Sequence, residues 1–201
     1  MTVTTTRGEY TAGRLVVSAG AWLPTLLGKE DAKPYRVMRQ VLYWFEPAGP
    51  IAPFQPGRMP IFIWEPPGTD RLLYGFPAID GPHGGVKVAS AQYEVDTTAD
   101  TVDRQVTPGE ISAMYEQLVR PCFPGLSARC LKTATCLYTV TPDFAFVIDE
   151  LPGQPRVLLA SPCSGHGFKH SAAVGECLAE IVVDGRSRID LRAFRLARFR
   201  S

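Results

Sequence analysis

The sequence predicts an α+β protein: a mostly antiparallel sheet with flanking helices, and a strand–turn–helix piece of α/β character towards its end. Three observations point there. Short runs of β-branched and aromatic residues fill the middle of the chain, joined by short connections that favour antiparallel pairing. One well-capped helix interrupts them. Between Arg156 and Val182 the apolar pattern changes from a continuous run to helical spacing across the glycine-rich stretch Cys163-Ser164-Gly165-His166-Gly167-Phe168-Lys169.

Taken in order, the alternating Thr2–Thr6, the turn Arg7-Gly8-Glu9 and Tyr10-Thr11 read as a hairpin or meander at the first residues. Arg14–Ala19, ending on Gly20, reads as a buried strand, and Ala21–Gly28 as a short helical or turn segment. Strands are expected at Val41–Glu46, Ile61–Glu65, Arg71–Phe76 and Gly85–Ser90. Thr107-Pro108-Gly109-Glu110 holds an N-cap, an N1 proline and a capping-box glutamate in order, with Ile111, Met114, Tyr115 and Leu118 on one face, so a core-packing helix is expected over 108–120. Leu131–Val140 reads as a long strand with Cys136 and Tyr138 on one face, and Phe144–Asp149 as its return partner. Arg156–Ala160 is a short buried strand; Val174, Leu178, Ile181 and Val182 mark the helix after it. The arginine-rich tail from Arg186 is expected to be solvated and weakly ordered, with Leu191, Phe194 and Leu196 docking.

Composition narrows the function classes. A net charge of +1 argues against a nucleic-acid footprint. No apolar run approaches a membrane span of about 18–20 residues, and the start lacks a signal-peptide layout. The five cysteines are odd in number and contain no C-x-x-C pair, which predicts a reduced, cytoplasmic protein without a disulfide framework or metal site. Hydrophobic residues at 45% are enough for a packed core.

The stretch from Cys163 to Lys169 carries the most chemistry. A strand–glycine–helix turn directs backbone N–H groups and a positive helix end at whatever lies above it. Gly165 and Gly167 would let a ligand approach the backbone, and Lys169 adds a cation, a setting suited to a carboxylate or an electron-rich ring. The same turn is also a common packing device. Cys136 reads equally as an ordinary small buried residue, Lys87 as a lysine that snorkels from an apolar strand, Tyr74 and Tyr138 as core aromatics, and His166 as a residue that packs the turn.

Read together, Val17-Ser18-Ala19-Gly20-Ala21-Trp22, Tyr74-Gly75-Phe76-Pro77 with Gly85-Val86-Lys87, Cys136-Leu137-Tyr138-Thr139-Val140-Thr141-Pro142-Asp143 and Ser164-Gly165-His166-Gly167-Phe168-Lys169 resemble the monomeric sarcosine oxidase and N-methyltryptophan oxidase group of the D-amino-acid-oxidase-like flavoproteins. The resemblance runs from Thr2 to about Asp190. It implies FAD as cofactor, joined covalently through Cys136, with Ser164, Gly165, His166, Gly167 and Lys169 around the ring. It implies Lys87 near the flavin as the oxygen-activating residue, Lys169 as the carboxylate ligand, and Tyr74 and Tyr138 around the substrate. The implied reaction oxidises a secondary amine, such as a sarcosine-like N-methyl amino acid, with O₂ to an imine and H₂O₂.

The chain departs from that pattern in several places, among them the absence of an early segment that in the family supplies arginine and histidine beside the flavin, and Cys163, where small or aromatic residues are more usual. The family's Gly-x-Gly-x-x-Gly unit for the FAD pyrophosphate is absent from these 201 residues. Several relatives have a histidine shortly after the position of Lys87, where this chain reads Ala89-Ser90-Ala91-Gln92. The expectation is therefore the C-terminal portion of such an oxidase. Residues 1–28 and 143–201 would form a partial FAD-binding domain and 29–142 the substrate domain. The chain would need an N-terminal half, or would self-associate through the apolar surface left uncovered. The alternative is a non-catalytic remnant, or a partner subunit of a heteromeric flavoprotein.

Overall fold

The structure, a computed structural model, describes residues 1–81 and 83–200. They divide into two compact units: one of residues 1–37 and 138–200, the other of residues 38–137.

The first unit opens with an antiparallel hairpin, β1 (Thr2–Thr5) and β2 (Gly8–Thr11), with Thr2 opposite Thr11. β3 (Leu15–Val17) follows, then the short helices α1 (Leu23–Leu26) and α2 (Lys29–Ala32). β3 is shorter than expected and is not buried, because it is an edge strand of the three-stranded sheet β10-β11-β3. Among the described residues its one partner is β11 (Gln154–Ser161), to which it runs parallel; β10 (Val147–Leu151), expected as the return partner of the long strand over Leu131–Val140, pairs instead antiparallel with the other side of β11. α5 (Ser171–Asp184) follows β11, so the expected strand–turn–helix is present. It ends on Gly185 at φ 77°, a left-handed cap that suits glycine. Leu23, Val147, Val157, Leu159 and Leu196 form the core of this unit. Leu196 belongs to the tail, which is ordered into two 3₁₀ turns, Arg192–Phe194 and Leu196–Phe199. A buried leucine anchors the segment whose arginines suggested a solvated terminus.

The second unit is built on a six-stranded sheet. Its path is β5 (Phe62–Trp64), β6 (Leu73–Phe76), β7 (Val86–Ser90), β4 (Arg36–Pro47) and β8 (Asp96–Thr97), with β9 (Leu126–Val140) also paired to β4. β4 and β9 begin earlier than the sequence suggests, and β9 continues into the first unit from Tyr138. The pairs β5–β6, β6–β7 and β7–β4 are antiparallel, as the short connections predict. Register decides the faces. Phe45 lies opposite Val86 and Tyr43 opposite Val88, and these residues form the core with Val41, Leu73 and Met114. Full burial of each such side chain contributes about 1.5–3 kcal/mol.

The capped helix is α3 (Pro108–Met114); a π-helical turn, Tyr115–Val119, and α4 (Arg120–Cys122) continue it. The capping box is closed both ways between Thr107 and Glu110. Arg39 reinforces it: Nη1 donates to Glu110 at 2.6 Å, while Nε and Nη2 donate to the carbonyls of Asp103 and Gln105 at 2.7 Å each. Burial alone would raise the Glu110 carboxyl, but the hydrogen bonds from Thr107 and Arg39 outweigh it and hold the carboxylate low.

Candidate functional site

The second unit presents one face of its sheet as a chemical surface. Lys87 lies opposite Trp44 on β4 and opposite Phe76 on β6. Residues directly opposite in an antiparallel pair share a face, and these do: Lys87 Nζ sits 5.5 Å from the Trp44 ring centre and 4.9 Å from that of Phe76. Lys132, on β9, places its ammonium 4.8 Å from the same Trp44 ring. Tyr74 is opposite Ala89 and Ile63, so it belongs to the same face. Ile63 is 72% exposed, leaving an apolar margin open at the β5 edge.

Burial lowers the pKa of Lys87 below the ordinary lysine value, with the Cys136 sulfur opposing that shift. Burial pushes the Cys136 thiol up, and the Lys87 charge opposes it. The lysine thus holds its proton less tightly than one in water, and the thiol is favoured over the thiolate. Cys136 is free, as are Cys122, Cys130, Cys163 and Cys177.

The first unit contributes the glycine turn between β11 and α5. Ser164 takes φ 52°, and its amide donates to the Thr139 carbonyl at 2.9 Å. Gly165 takes φ 82°, and a Cβ there would fall 2.6 Å from the Tyr138 ring. At Gly167 a Cβ would fall 1.4 Å from the Pro162 carbonyl oxygen. The fold itself therefore demands both glycines, a reason additional to the ligand approach suggested by the sequence. His166 is exposed; its ring stacks on buried Phe146 with centres 4.9 Å apart, and its Nε2 lies 2.9 Å from the Phe144 carbonyl. His166 thus packs against the turn through Phe146 while still facing solvent. Lys169 is exposed in a 3₁₀ turn, Phe168–His170, that precedes α5.

Within the second unit the structure sets Lys87 and Cys136 so that each influences the other's pKa, and places Tyr74 on the Lys87 face. Within the first it brings Tyr138, Ser164, Gly165, His166 and Gly167 to one turn. Sequence reasoning missed Trp44 and Lys132, whose place depends on strand pairing. It also missed Gln40, which is 0% exposed. Gln40 Oε1 accepts the Gln92 amide at 2.9 Å and its Nε2 donates to the Gln92 carbonyl, fixing the backbone just beyond β7. A glutamine inside the apolar run of β4 was a visible signal of a buried polar partner.

A family model described as "FAD dependent oxidoreductase" matches residues 1–181. The chain belongs to this family. The monomeric sarcosine oxidase of Streptomyces avermitilis is 45% identical over 184 residues, 91% of this chain and 47% of that protein. The N-methyl-L-tryptophan oxidase of Escherichia coli strain K12 is 34% identical over 207 residues, 99% of this chain and 51% of that protein. The chain thus spans about half the length of the curated relatives it matches. Among solved structures, NikD, described as an unusual amino acid oxidase essential for nikkomycin biosynthesis, aligns with a TM-score of 0.74 at 19% identity over 96% of this chain and 50% of its own. The L-proline dehydrogenase of P. horikoshii aligns with a TM-score of 0.73 at 22% identity, over 98% of this chain and 50% of its own. These two likenesses establish the fold. Among the described residues no helix is long and apolar enough to cross a membrane.

The side chains suit the ring end of an FAD better than its phosphate end. A burial-weakened ammonium between aromatic faces and a nearby thiol are groups able to meet a flat, electron-accepting ring. For the pyrophosphate, the 201 residues contain no Gly-x-Gly-x-x-Gly.

Proposed function

We propose that this chain is the later portion of an FAD-dependent amine oxidase that converts a secondary amine, R–NH–CH₃, and O₂ into an imine, R–N=CH₂, and H₂O₂. The single observation that carries the proposal is the Lys87 setting: an ammonium half-withdrawn from water and flanked by the Trp44 and Phe76 rings. The family membership directs that setting towards flavin chemistry.

When bound, FAD supplies the electron acceptance that no side chain here can provide. The chain's own residues orient and polarise. Cys136 is the proposed attachment point for the ring. Lys87 supplies positive charge where O₂ takes up electrons, and partial desolvation strengthens that interaction. Lys169 is the proposed ligand for a substrate carboxylate, a task suited to a point charge on a flexible stem. Tyr74 and Tyr138 are proposed substrate walls. Residues 29–142 are the proposed substrate domain and residues 1–28 and 143–201 the proposed partial FAD-binding domain, while the compact units divide at residues 37/38 and 137/138. A segment carrying Gly-x-Gly-x-x-Gly is supplied from outside these 201 residues.

The absence of Gly-x-Gly-x-x-Gly from these 201 residues favours a second reading, a non-catalytic remnant or a partner subunit of a heteromeric flavoprotein. One experiment separates the two. The 201-residue chain is purified, incubated with FAD alone and with a co-expressed half carrying the glycine motif, then precipitated with acid. Yellow colour retained in the pellet, lost in Cys136→Ser, together with amine-dependent H₂O₂ release, supports the oxidase. Colourless protein under both conditions overturns it in favour of the remnant.

A further inference from the structure

The glycine turn is held by a residue from the far end of the chain. Phe144 takes φ 55° and Ser164 φ 52°, both non-glycine residues in the left-handed region. Such conformations persist only where the surroundings impose them. At Phe144 the surroundings form a closed set of polar contacts. Arg198 grips Asp143 at two points, Nε donating to Oδ2 at 2.7 Å and Nη2 to Oδ1 at 3.1 Å. Its Nη1 donates to the Arg195 carbonyl at 3.0 Å, which holds the guanidinium against its own segment. Asp143 Oδ1 accepts the Ala145 amide at 3.0 Å. The Thr141 hydroxyl lies 2.7 Å from the Ala145 carbonyl and 3.5 Å from the Ser164 hydroxyl. The peptide carbonyl of Phe144, locked inside this loop, points at His166 Nε2 from 2.9 Å.

We infer that Arg198 is a positioning residue for His166: its two-point grip on Asp143 fixes the Phe144 carbonyl, which selects the Nε2–H tautomer of His166 and the direction of its ring. A carbonyl only accepts, so Nε2 carries the proton of the neutral ring and Nδ1 becomes the acceptor. Stacking on Phe146 sets the ring plane but does not distinguish the two nitrogens. The grip on Asp143 therefore determines which nitrogen offers a lone pair at the glycine turn. Arg198 lies beyond residues 1–181, the part that the family model covers. That His166 meets an FAD ring rests on the function proposed above; the lock on its tautomer does not.

The test is ¹⁵N NMR of the His166 ring in the full 201-residue chain in alkaline buffer, with the signals assigned through His166→Gln. The unaltered chain is expected to give two well-separated ring-nitrogen resonances of a single Nε2–H tautomer. In Arg198→Gln they should collapse towards their mean as the two tautomers interchange. Arg200→Gln breaks a different ion pair on the same segment, with Asp31, and should leave the pattern intact. If Arg198→Gln does not fold, Asp143→Asn carries the same expectation. An unchanged pattern in a folded Arg198→Gln or Asp143→Asn chain, or an equal collapse in Arg200→Gln, overturns the inference. Failure to take up FAD both alone and with the co-expressed half, with the tautomer dependence intact, would count against the proposed function alone.

Discussion

The strand face around Lys87 and the turn around Gly165 are built by opposite routes. On the strand face, side chains make the surface and the backbone is ordinary. Alternation along β6, β7 and β4 brings Phe76, Lys87 and Trp44 to one side and sends Val86, Val88 and Phe45 to the other. In the turn the backbone is unusual, with left-handed φ at Phe144, Ser164 and Gly165, and side chains serve mainly to hold it there. The difference teaches where each is vulnerable: the strand face to changes in packing, the turn to the loss of any single clamp.

The largest expected effects probe the one place where the two regions behave alike. At Gly167 an added Cβ would meet the Pro162 carbonyl oxygen at 1.4 Å; at Gly75 it would meet that of Lys87 at 1.9 Å. Backbone atoms cannot swing aside as side chains do, so Gly167→Ala and Gly75→Ala should each cost about 3 kcal/mol in urea unfolding. Amide protection should be lost around the turn in the first case and along β6 and β7 in the second. Stability close to that of the unaltered chain in either variant would mean that the backbone there yields.

A smaller effect tests the scaffold behind the strand face. Thr107→Ala opens the capping box that Arg39 braces and should cost about 1 kcal/mol, measured as a shift in denaturant midpoint at constant slope. No shift would assign the helix start to Arg39 and Glu110 alone.

Gly175 sharpens the contrast with Gly167. It lies within α5, and a Cβ there would meet nothing within 4 Å. Gly175→Ala should raise stability by about 0.5–1 kcal/mol through helix propensity; a loss would imply that this position is covered.

The smallest effect concerns the clamp itself. The Arg198 hydrogen bonds beside Asp143 hold its carboxyl down at about 2, against about 3.9 for an unfolded aspartate. A lowered carboxyl stabilises the fold above the unfolded value and loses that contribution as pH falls through the folded one. The stability difference between the unaltered chain and Asp143→Asn should therefore be constant above about pH 5 and shrink towards about pH 2. Asp143 is largely exposed, so screening keeps the effect modest. A difference that does not vary with pH would remove the ion pair from the account.

Much of this architecture was legible because it is local. Alternating β-branched and aromatic residues marked β6 and β7, and Thr107-Pro108-Gly109-Glu110 marked the start of α3. The turn from Cys163 to Lys169 was visible from its glycines, and the motifs around Lys87, Cys136 and Ser164 pointed to the flavoprotein family that the comparisons establish. Errors arose where distant residues decide. β3 looked buried from its Leu15-Val16-Val17 core but is an edge strand, since burial depends on partners and not on hydropathy alone. The tail was expected to dock through Leu196, which is 1% exposed, but its arginines looked solvated, whereas Arg198 pairs with Asp143.

By itself, the sequence determined the fold class, the order of most elements and the residue types offered to chemistry, because helix caps, turns and alternation act among near neighbours in the chain. Only the tertiary structure decided that Lys87 sits between Trp44 and Phe76, that Gly167 must be glycine because of Pro162, and that Arg198 pairs with Asp143. Desolvation, steric exclusion and ion pairing depend on which atoms meet in space, and residues far apart in sequence bear no mark of one another until the chain has folded.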